Sequence, residues 1–509
     1  MDKQPDTTPE GAPPVEQPGP SEAVGRLVSR GAAWMFGLNM GNRLLGLVRT
    51  AIIARLLAPN DLGLFGIALL AQSVIETVSM FGLTSALVRH PDDVDPYLDT
   101  AWIISFIRGL AVAVVLVVAA PLFARFFHQP GATNLIRIVA TTSALVGFIN
   151  PASIKLRRQL RFGMIFVTSL IPGLVDIGLS ITIAVMYRTP LSLILGMVAK
   201  MFVTVVMSYW AVPYLPHLRY DRARAKELMS YGKWITGSTI LRFLYGNGDD
   251  IVVGRLLGAA SLGVYQIGYR YSNLPTTEIT RVLQMVALPA YAKVQGNAAR
   301  LRRAYVEALA TTSLVSIAFA GYIYVITPDF VKLVLGPKWV GVIPVMRLLA
   351  VWGAAESVSE IPISLFEAVG KPQIETRRLL LKAVLLGALI YPFLHWWGLN
   401  GVCIAVLVSS LPALGWTLVN AARLAGATAR DVFGALGVPT IGAGVAMAAA
   451  VGLGRVLSTG SVVSLVVVSL LCVGIYALIA VLAHVRGYTA VAQLGGRRKS
   501  SFARGGGRA

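Results

Sequence analysis

From residue 29 to residue 485 the chain is a succession of apolar runs, roughly fourteen of them, each about 20 residues or more in length. A run of that length crosses hydrocarbon as a helix, because only a helix satisfies its own backbone N–H and C=O groups where no water reaches them. The alternating polar pattern of a membrane barrel is absent. Composition agrees: 56% of the 509 residues are hydrophobic and 14% are charged, against about 25% charged in a soluble domain. The expected fold is an all-α polytopic membrane protein with spans at 29–56, 62–88, 100–127, 133–154, 163–187, 190–212, 233–257, 262–288, 304–327, 340–368, 379–396, 399–422, 432–454 and 459–485.

The formal net charge of +21 raises the question of nucleic acid. Its distribution answers it. Loops after even-numbered spans carry "KLRRQLRF", "RYDRARAKELMSYGK", "KVQGNAARLRR" and "GKPQIETRR", whereas those after odd-numbered spans read "APND", "HQPGAT", "GAAS" and "WGLN". Lysine and arginine concentrate on the cytoplasmic side of a membrane protein. The charge is therefore a sorting signal and an attraction to anionic membrane lipid, not a nucleic-acid site. Both termini are expected in the cytoplasm of a cell whose inner (plasma) membrane holds the chain. Residues 1–28 form a tail, rich in proline and acid at its start, without the layout of a cleaved signal peptide. Cys403 and Cys472 fall inside apolar runs and read as small buried hydrophobes.

One phrase is written twice. "IIARLLAPNDLGLFGI" at 52–67 and "VVGRLLGAASLGVYQI" at 252–267 share six of sixteen positions, Arg55 and Arg255 among them. The copies are six spans apart, an even number, so both point the same way across the membrane. That is a parallel repeat of two six-helix halves. The expected organisation is an N-lobe at 29–212, a basic cytoplasmic linker at 213–232, a C-lobe at 233–422, two further helices within 432–485 and a basic cytoplasmic tail at 486–509. Pro59, Asn60 and Asp61 read as a turn with Asp61 capping the next helix, and Ser261 as its counterpart. Arg55 and Arg255, near the ends of their spans, read as side chains snorkelling to the interface.

"ARLLAPNDLGLFGIA", "FGLTSALVRH" and "DDIVVGRLLGAASLGVYQIGYRYSNLP" resemble the polysaccharide-transporter and Wzx-type flippase families of the multidrug/oligosaccharidyl-lipid/polysaccharide exporter superfamily. The resemblance runs through most of the first twelve spans. It implies a flippase for undecaprenyl-diphosphate-linked oligosaccharide, a V-shaped cavity between two lobes, and alternating access. A polysaccharide polymerase and a chain-length regulator are the expected protein partners. Drug–cation antiporters share the fold and form the alternative reading. A membrane glycosyltransferase is a third, disfavoured because the loops are short.

Ionisable residues within the spans carry the functional signal. Each costs about 2.5–3.5 kcal/mol at the centre of a lipid-facing helix, so each must face water or a partner. Helical spacing puts Asn39, Asn42, Arg43, Gly46 and Arg49 on one face of span 1, and Gln266, Arg270, Asn273, Thr277, Arg281 and Gln284 on one face of span 8. It joins Arg242, Tyr245 and Asp249 on span 7, and Gln72, Glu76 and Ser79 on span 2. The four stripes are expected to line one wet cavity between the halves. Guanidinium binds phosphate and carboxylate in bidentate fashion and never deprotonates, which suits a diphosphate or an acidic sugar. Arg43, Arg49, Arg242, Arg270 and Arg281, with Asn39 and Asn42, are the candidate substrate contacts. Tyr245, Tyr269 and Tyr271 either stack on sugars or pack. Glu356, Glu360 and Glu367 share a face of span 10. They, with Asp249 or Asp250, either couple transport to protons or sodium or pair with bases such as Arg347 and Lys382. No HExxH, GxSxG or Walker A pattern occurs and the five histidines are scattered, so neither catalysis, a cofactor nor ATP is expected.

Overall fold

The computed structural model describes residues 37, 40–79, 94–159, 161–456 and 462–485, apart from the side chains of 227–242, 245, 274–279, 453–456, 479–480 and 482–485. The described elements are helices: α1 (40–56), α2 (Pro59–Val78), α3 (Asp95–Phe126), α4 (Ala132–Gly147), the short α5 (Ile154–Arg158), α6 (Phe162–Tyr187), α7 (Leu191–Ala211), α8 (Arg222–Leu256) and α9 (Gly258–Val294). Then come α10 (Ala298–Phe330), prolonged by the π-helical turn Val331–Leu335, followed by α11 (Val342–Ala368), α12 (Gln373–Ala425), α13 (Ala429–Val456) and α14 (Val462–Val485). Among the described residues eight helices are long and apolar enough to cross a membrane. They are nine if the pair Ala132–Gly147 and Pro151–Arg158, bent by 69°, is one span. The polar helices α8 and α9 are not among those eight, although they have 35 and 37 residues. The tails at 1–28 and 486–509 and the stretch "FGLTSALVRH" lie outside the described residues.

Local chemistry sets several boundaries. The 53-residue α12 is two rods joined at Gly398, whose φ of 56° and ψ of −133° no helix contains. The break falls between the two expected spans. Helix α8 starts at Arg222, within the stretch read as linker, because Asp221 accepts hydrogen bonds from the N–H groups of Ala223 (2.8 Å) and Arg224 (3.2 Å). Asp61 does stabilise the start of α2, but from the third helical position, accepting from the Ala58 N–H at 3.0 Å. Ser261 has no such role. Helix α9 begins at Gly258, its first turn has no side-chain cap, and Gly258 makes the turn itself with φ +82°.

The helices pack as two bundles with matching internal partners. In the first, α4 lies against α2, α3 and α7; in the second, α11 lies against α9, α10 and α12. Helices α13 and α14 are added along α10. The bundles meet chiefly where α2 crosses α9. The crossing is reciprocal: a Cβ on Gly63 would fall 1.7 Å from the Ala259 carbonyl oxygen, and one on Gly263 would fall 2.1 Å from the Pro59 carbonyl oxygen. Gly63 and Gly263 are the same position of the repeated phrase, as are Pro59 and Ala259. Each copy thus packs its glycine on the start of the other, the self-complementary contact of a two-fold axis.

Gly63→Ala or Gly263→Ala must drive these backbones apart. Overpacking of this kind costs about 1–3 kcal/mol. Thermal denaturation of the purified protein in detergent should show a clear loss of stability for either change. Gly415→Ala and Gly437→Ala, where an added Cβ meets nothing within 4 Å, should leave it unchanged.

Candidate functional site: a basic cavity between the lobes

Below the α2–α9 crossing the bundles diverge around a cavity of about 1020 Å³. Its walls are α1, α2, α6, α7, α8 and α9. At the end next to the crossing it is closed by Ile53, Leu62, Leu193 and Ile267, all buried. Toward the side of the basic loops its lining includes Lys200, Thr204 and Arg281, which are exposed or partly exposed. Five basic side chains line it among the described residues, Arg43, Arg49, Lys200, Arg270 and Arg281, against two acidic ones, Asp176 and Asp250.

Spans 1 and 8 behave as helical spacing predicts. Asn42, Arg43, Gly46 and Arg49 of α1 and Gln266, Arg270, Asn273 and Arg281 of α9 face the same space. Arg49 is oriented from the same bundle: its Nη1 donates to Asp176 Oδ2 at 2.8 Å and its Nη2 to Ser180 Oγ at 2.9 Å. Its Nε is buried without a partner. Gly196 of α7 lets α6 lie this close, since a Cβ there would fall 1.9 Å from Ser180 Oγ. Arg270 reaches across the lobes, its Nη1 donating to Thr50 Oγ1 of α1 at 2.6 Å. Tyr271 does likewise, donating to the Leu47 carbonyl at 2.9 Å. These bonds position guanidinium groups in a low-dielectric wall, where their attraction for an anion is strongest.

Other expected site residues go elsewhere. The span-2 stripe does not line the cavity. Gln72 Nε2 donates to Glu76 Oε1 (2.8 Å) and to Thr142 Oγ1 (2.9 Å), and Ser143 Oγ donates to Glu76 Oε1 (2.7 Å), so the stripe ties α2 to α4 inside the N-lobe. The wall that α2 gives the cavity is apolar: Leu62, Phe65 and Leu69. Gln284 of α9 turns away to Glu360, at 2.6 Å. The adjacent carboxylates of α8 part company: Asp250 lines the cavity, while Asp249 is buried in the C-lobe, accepting from the Tyr265 hydroxyl at 2.5 Å. Tyr269 lines the cavity and packs 5.5 Å from the Trp352 ring. Asn39, and the side chains of Arg242, Tyr245, Thr277 and Glu278, lie outside the described residues.

The acids of α11 sit in a separate network within the C-lobe. Lys382 Nζ contacts Glu356 Oε2 at 2.7 Å and lies 5.1 Å from the centre of the Trp352 ring. Arg378 Nη1 donates to Glu356 Oε1 at 3.3 Å, and its Nε and Nη2 form a bidentate pair with Glu375 at 2.7 and 2.8 Å. Both bases are 2% exposed. Arg347 is not a partner: its Nε donates to the Tyr324 carbonyl at 3.0 Å. Glu367 is exposed.

Two cavity helices were not chosen from the sequence. Helix α6 contributes Thr168, Ser169, Pro172, Gly173 and Asp176, and α7 contributes Lys200 and Thr204. The steps 169, 172, 173 and 176 follow the same three-and-four rule that marked α1 and α9, so the signal was present in "VTSLIPGLVDIG". Arg49 and Asp176 should be energetically coupled. A double-mutant cycle of Arg49→Gln and Asp176→Asn, read by thermal denaturation, should give an interaction of about 0.5–3 kcal/mol. Asp176→Asn alone should destabilise, because it leaves a half-buried guanidinium without its counter-charge.

Known proteins place this architecture. The chain is 26% identical over 321 residues to the lipopolysaccharide biosynthesis protein WzxC of Escherichia coli, covering 62% of this chain and 64% of that one, just under two thirds. It is 23% identical over 334 residues to the teichuronic acid biosynthesis protein TuaB of Bacillus subtilis, covering 65% and 69%. The succinoglycan biosynthesis transport protein ExoT of Rhizobium meliloti matches at 22% over 325 residues, covering 64% and 66%. In fold the chain is similar to the lipid II flippase MurJ in an inward closed conformation, with a TM-score of 0.70 at 13% identity, over 88% of this chain and 99% of that one. A multidrug resistance MATE family transporter of the MOP superfamily, inward-facing, gives 0.57 at 17% identity, over 76% and 96%. The polysaccharide biosynthesis protein family matches residues 52–344, more than half of the chain and the part that builds the crossing and most of the cavity. The chain belongs to that family, as a polysaccharide-transporter, Wzx-type membrane protein.

Proposed function

We propose that this protein is a flippase that carries undecaprenyl-diphosphate-linked oligosaccharide from the inner to the outer leaflet of a bacterial plasma membrane, for exopolysaccharide, capsule or O-antigen synthesis. The observation that carries this reading is a large cavity between two lobes whose described lining holds five basic side chains against two acidic ones. A diphosphate brings about two negative charges and paired acceptor oxygens, and the planar guanidinium fork meets both with bidentate, charge-assisted hydrogen bonds. The names of the relatives, which concern lipopolysaccharide, teichuronic acid and succinoglycan, fit a lipid-linked glycan. A cationic drug would be repelled by the same wall, which disfavours the antiporter reading.

The basic loops are taken as cytoplasmic, with both termini on that side. The cavity is then loaded from the inner leaflet, and rocking of the lobes about the α2–α9 crossing exposes it outside. Transport runs on an ion gradient, with protons or sodium as the coupling ion. Glu356 is paired with Lys382 and Arg378, and Glu360 stands 4.0 Å from Arg378, so Asp249 and Asp250 are the residues left to respond. On the outer side the cargo passes to a polysaccharide polymerase and its chain-length regulator.

In a strain deleted for this gene, Arg43→Ala and Arg270→Ala variants should reach the membrane in parental amounts and fail to restore surface polysaccharide. Binding of undecaprenyl diphosphate to purified protein should weaken about tenfold or more for either, as expected for loss of charge-assisted hydrogen bonds of about 1.5–3 kcal/mol. Full rescue and undiminished binding by both variants would overturn the site. Flux measured with the membrane potential and each ion gradient collapsed in turn tests coupling, and unchanged flux throughout would remove it.

A further inference from the structure

Arg55 and Arg255, the charged residues of the duplicated phrase, do not snorkel. Each reaches into the opposite lobe. Arg55, at the end of α1, donates from Nε to the Val334 carbonyl of the C-lobe at 2.8 Å. Arg255, at the end of α8, sets Nη1 against the His128 ring of the N-lobe, 2.7 Å from Nδ1 and 2.5 Å from Nε2, with its guanidinium carbon 5.2 Å from the centre of the Phe126 ring.

The neighbouring positions repeat the exchange. The Ala54 carbonyl accepts from Trp339 Nε1 of the C-lobe at 2.7 Å, and Trp339 is fully buried. Gly254, its counterpart, lies against Phe127 of the N-lobe, where an added Cβ would stand 3.1 Å from the ring. So the end of α1 docks on the turn between α10 and α11, and the end of α8 docks on the turn between α3 and α4. These are the corresponding turns of the two halves.

The turns match in backbone as well. Each reverses through one residue of positive φ, Gly336 at +98° in the C-lobe and His128 at +53° in the N-lobe. A side chain in that region is strained, and glycine would relax it. His128 is the residue that Arg255 meets there.

All of these contacts lie on the closed side of the cavity, beyond the buried Ile53, Leu62 and Ile267. We propose that the duplicated Arg55 and Arg255 form a reciprocal, reversible clasp that holds the cavity shut on the side opposite the basic loops, and that release of both arms is the step that opens it there. Polar contacts suit this task. Arg55 is exposed and Arg255 only half-buried, so water replaces their partners when the lobes part. The apolar and backbone contacts beneath could not be re-solvated as cheaply. The inference rests on the alternating-access reading given above, but its test needs no substrate.

Leu69→Cys, made with Cys403→Ala and Cys472→Ala, puts a single thiol in the cavity. Its modification by a membrane-impermeant thiol reagent, added to intact cells, reports access from outside. Arg55→Ala combined with Arg255→Ala should speed modification about tenfold, equivalent to about 1.4 kcal/mol shifted between closed and open states. The Arg55→Lys and Arg255→Lys pair, which keeps a donor at each place, should fall between. His128→Gly removes the partner of Arg255 while easing the turn, so it folds at least as well as the parent, and it too should speed modification. Modification unchanged in His128→Gly, or in a stably expressed double alanine variant, would overturn the clasp. If modification rises as expected while no lipid-linked oligosaccharide moves, the clasp stands and only the assigned cargo fails.

Discussion

A guanidinium group cannot rest in hydrocarbon, and it cannot shed its charge to do so. Every structural feature of functional interest here follows from that constraint. Helices α1 and α9 carry arginines within expected membrane spans, so those faces must turn toward water or toward acids. The two bundles satisfy them by standing apart, which leaves a cavity where Arg43, Arg49, Arg270 and Arg281 converge. Asp176 takes Arg49, while Arg270 donates to the Thr50 hydroxyl.

The C-lobe also carries a second set of charges, which do not line the cavity. Lys382 and Arg378 are almost entirely buried, and each is matched by carboxylates at hydrogen-bonding distance. Burial on this scale is tolerable only with such pairing. The C-lobe thus holds charge in two settings: Arg270 and Arg281 line the cavity, while Lys382, Arg378 and their carboxylates form an ion network apart from it. The repeat fixes geometry and leaves chemistry free to diverge.

Two of the shared positions of the repeated phrase have a reciprocal structural meaning. Its glycines permit the α2–α9 crossing, and its arginines reach across to the other half. Neither element could work as a single copy, because each copy packs on the other. A lobe interface built from reciprocal contacts has an axis, and motion about an axis lets one face close as the other opens.

Much of this was legible in the residues. Run length and composition dictated membrane helices, because a lone chain in lipid has no other way to satisfy its backbone. Spacing by threes and fours identified the faces of α1 and α9 that line the cavity, because helical geometry is local. The same spacing misjudged Gln72 and Glu76, which serve α4 rather than the cavity, since period shows that a face needs a partner and not which one it has. It overlooked α6 and α7, whose single charges Asp176 and Lys200 look isolated until the fold brings them beside Arg49 and the cavity. Nor could it separate Asp249 from Asp250. Adjacent residues on a helix point about 100° apart, and only the packing of α8 between two environments decides which is buried and which is wet. Arg55 and Arg255 were visible as a repeat, but their partners Val334 and His128 are hundreds of residues or half a lobe away, and tertiary structure alone chooses contacts at that separation.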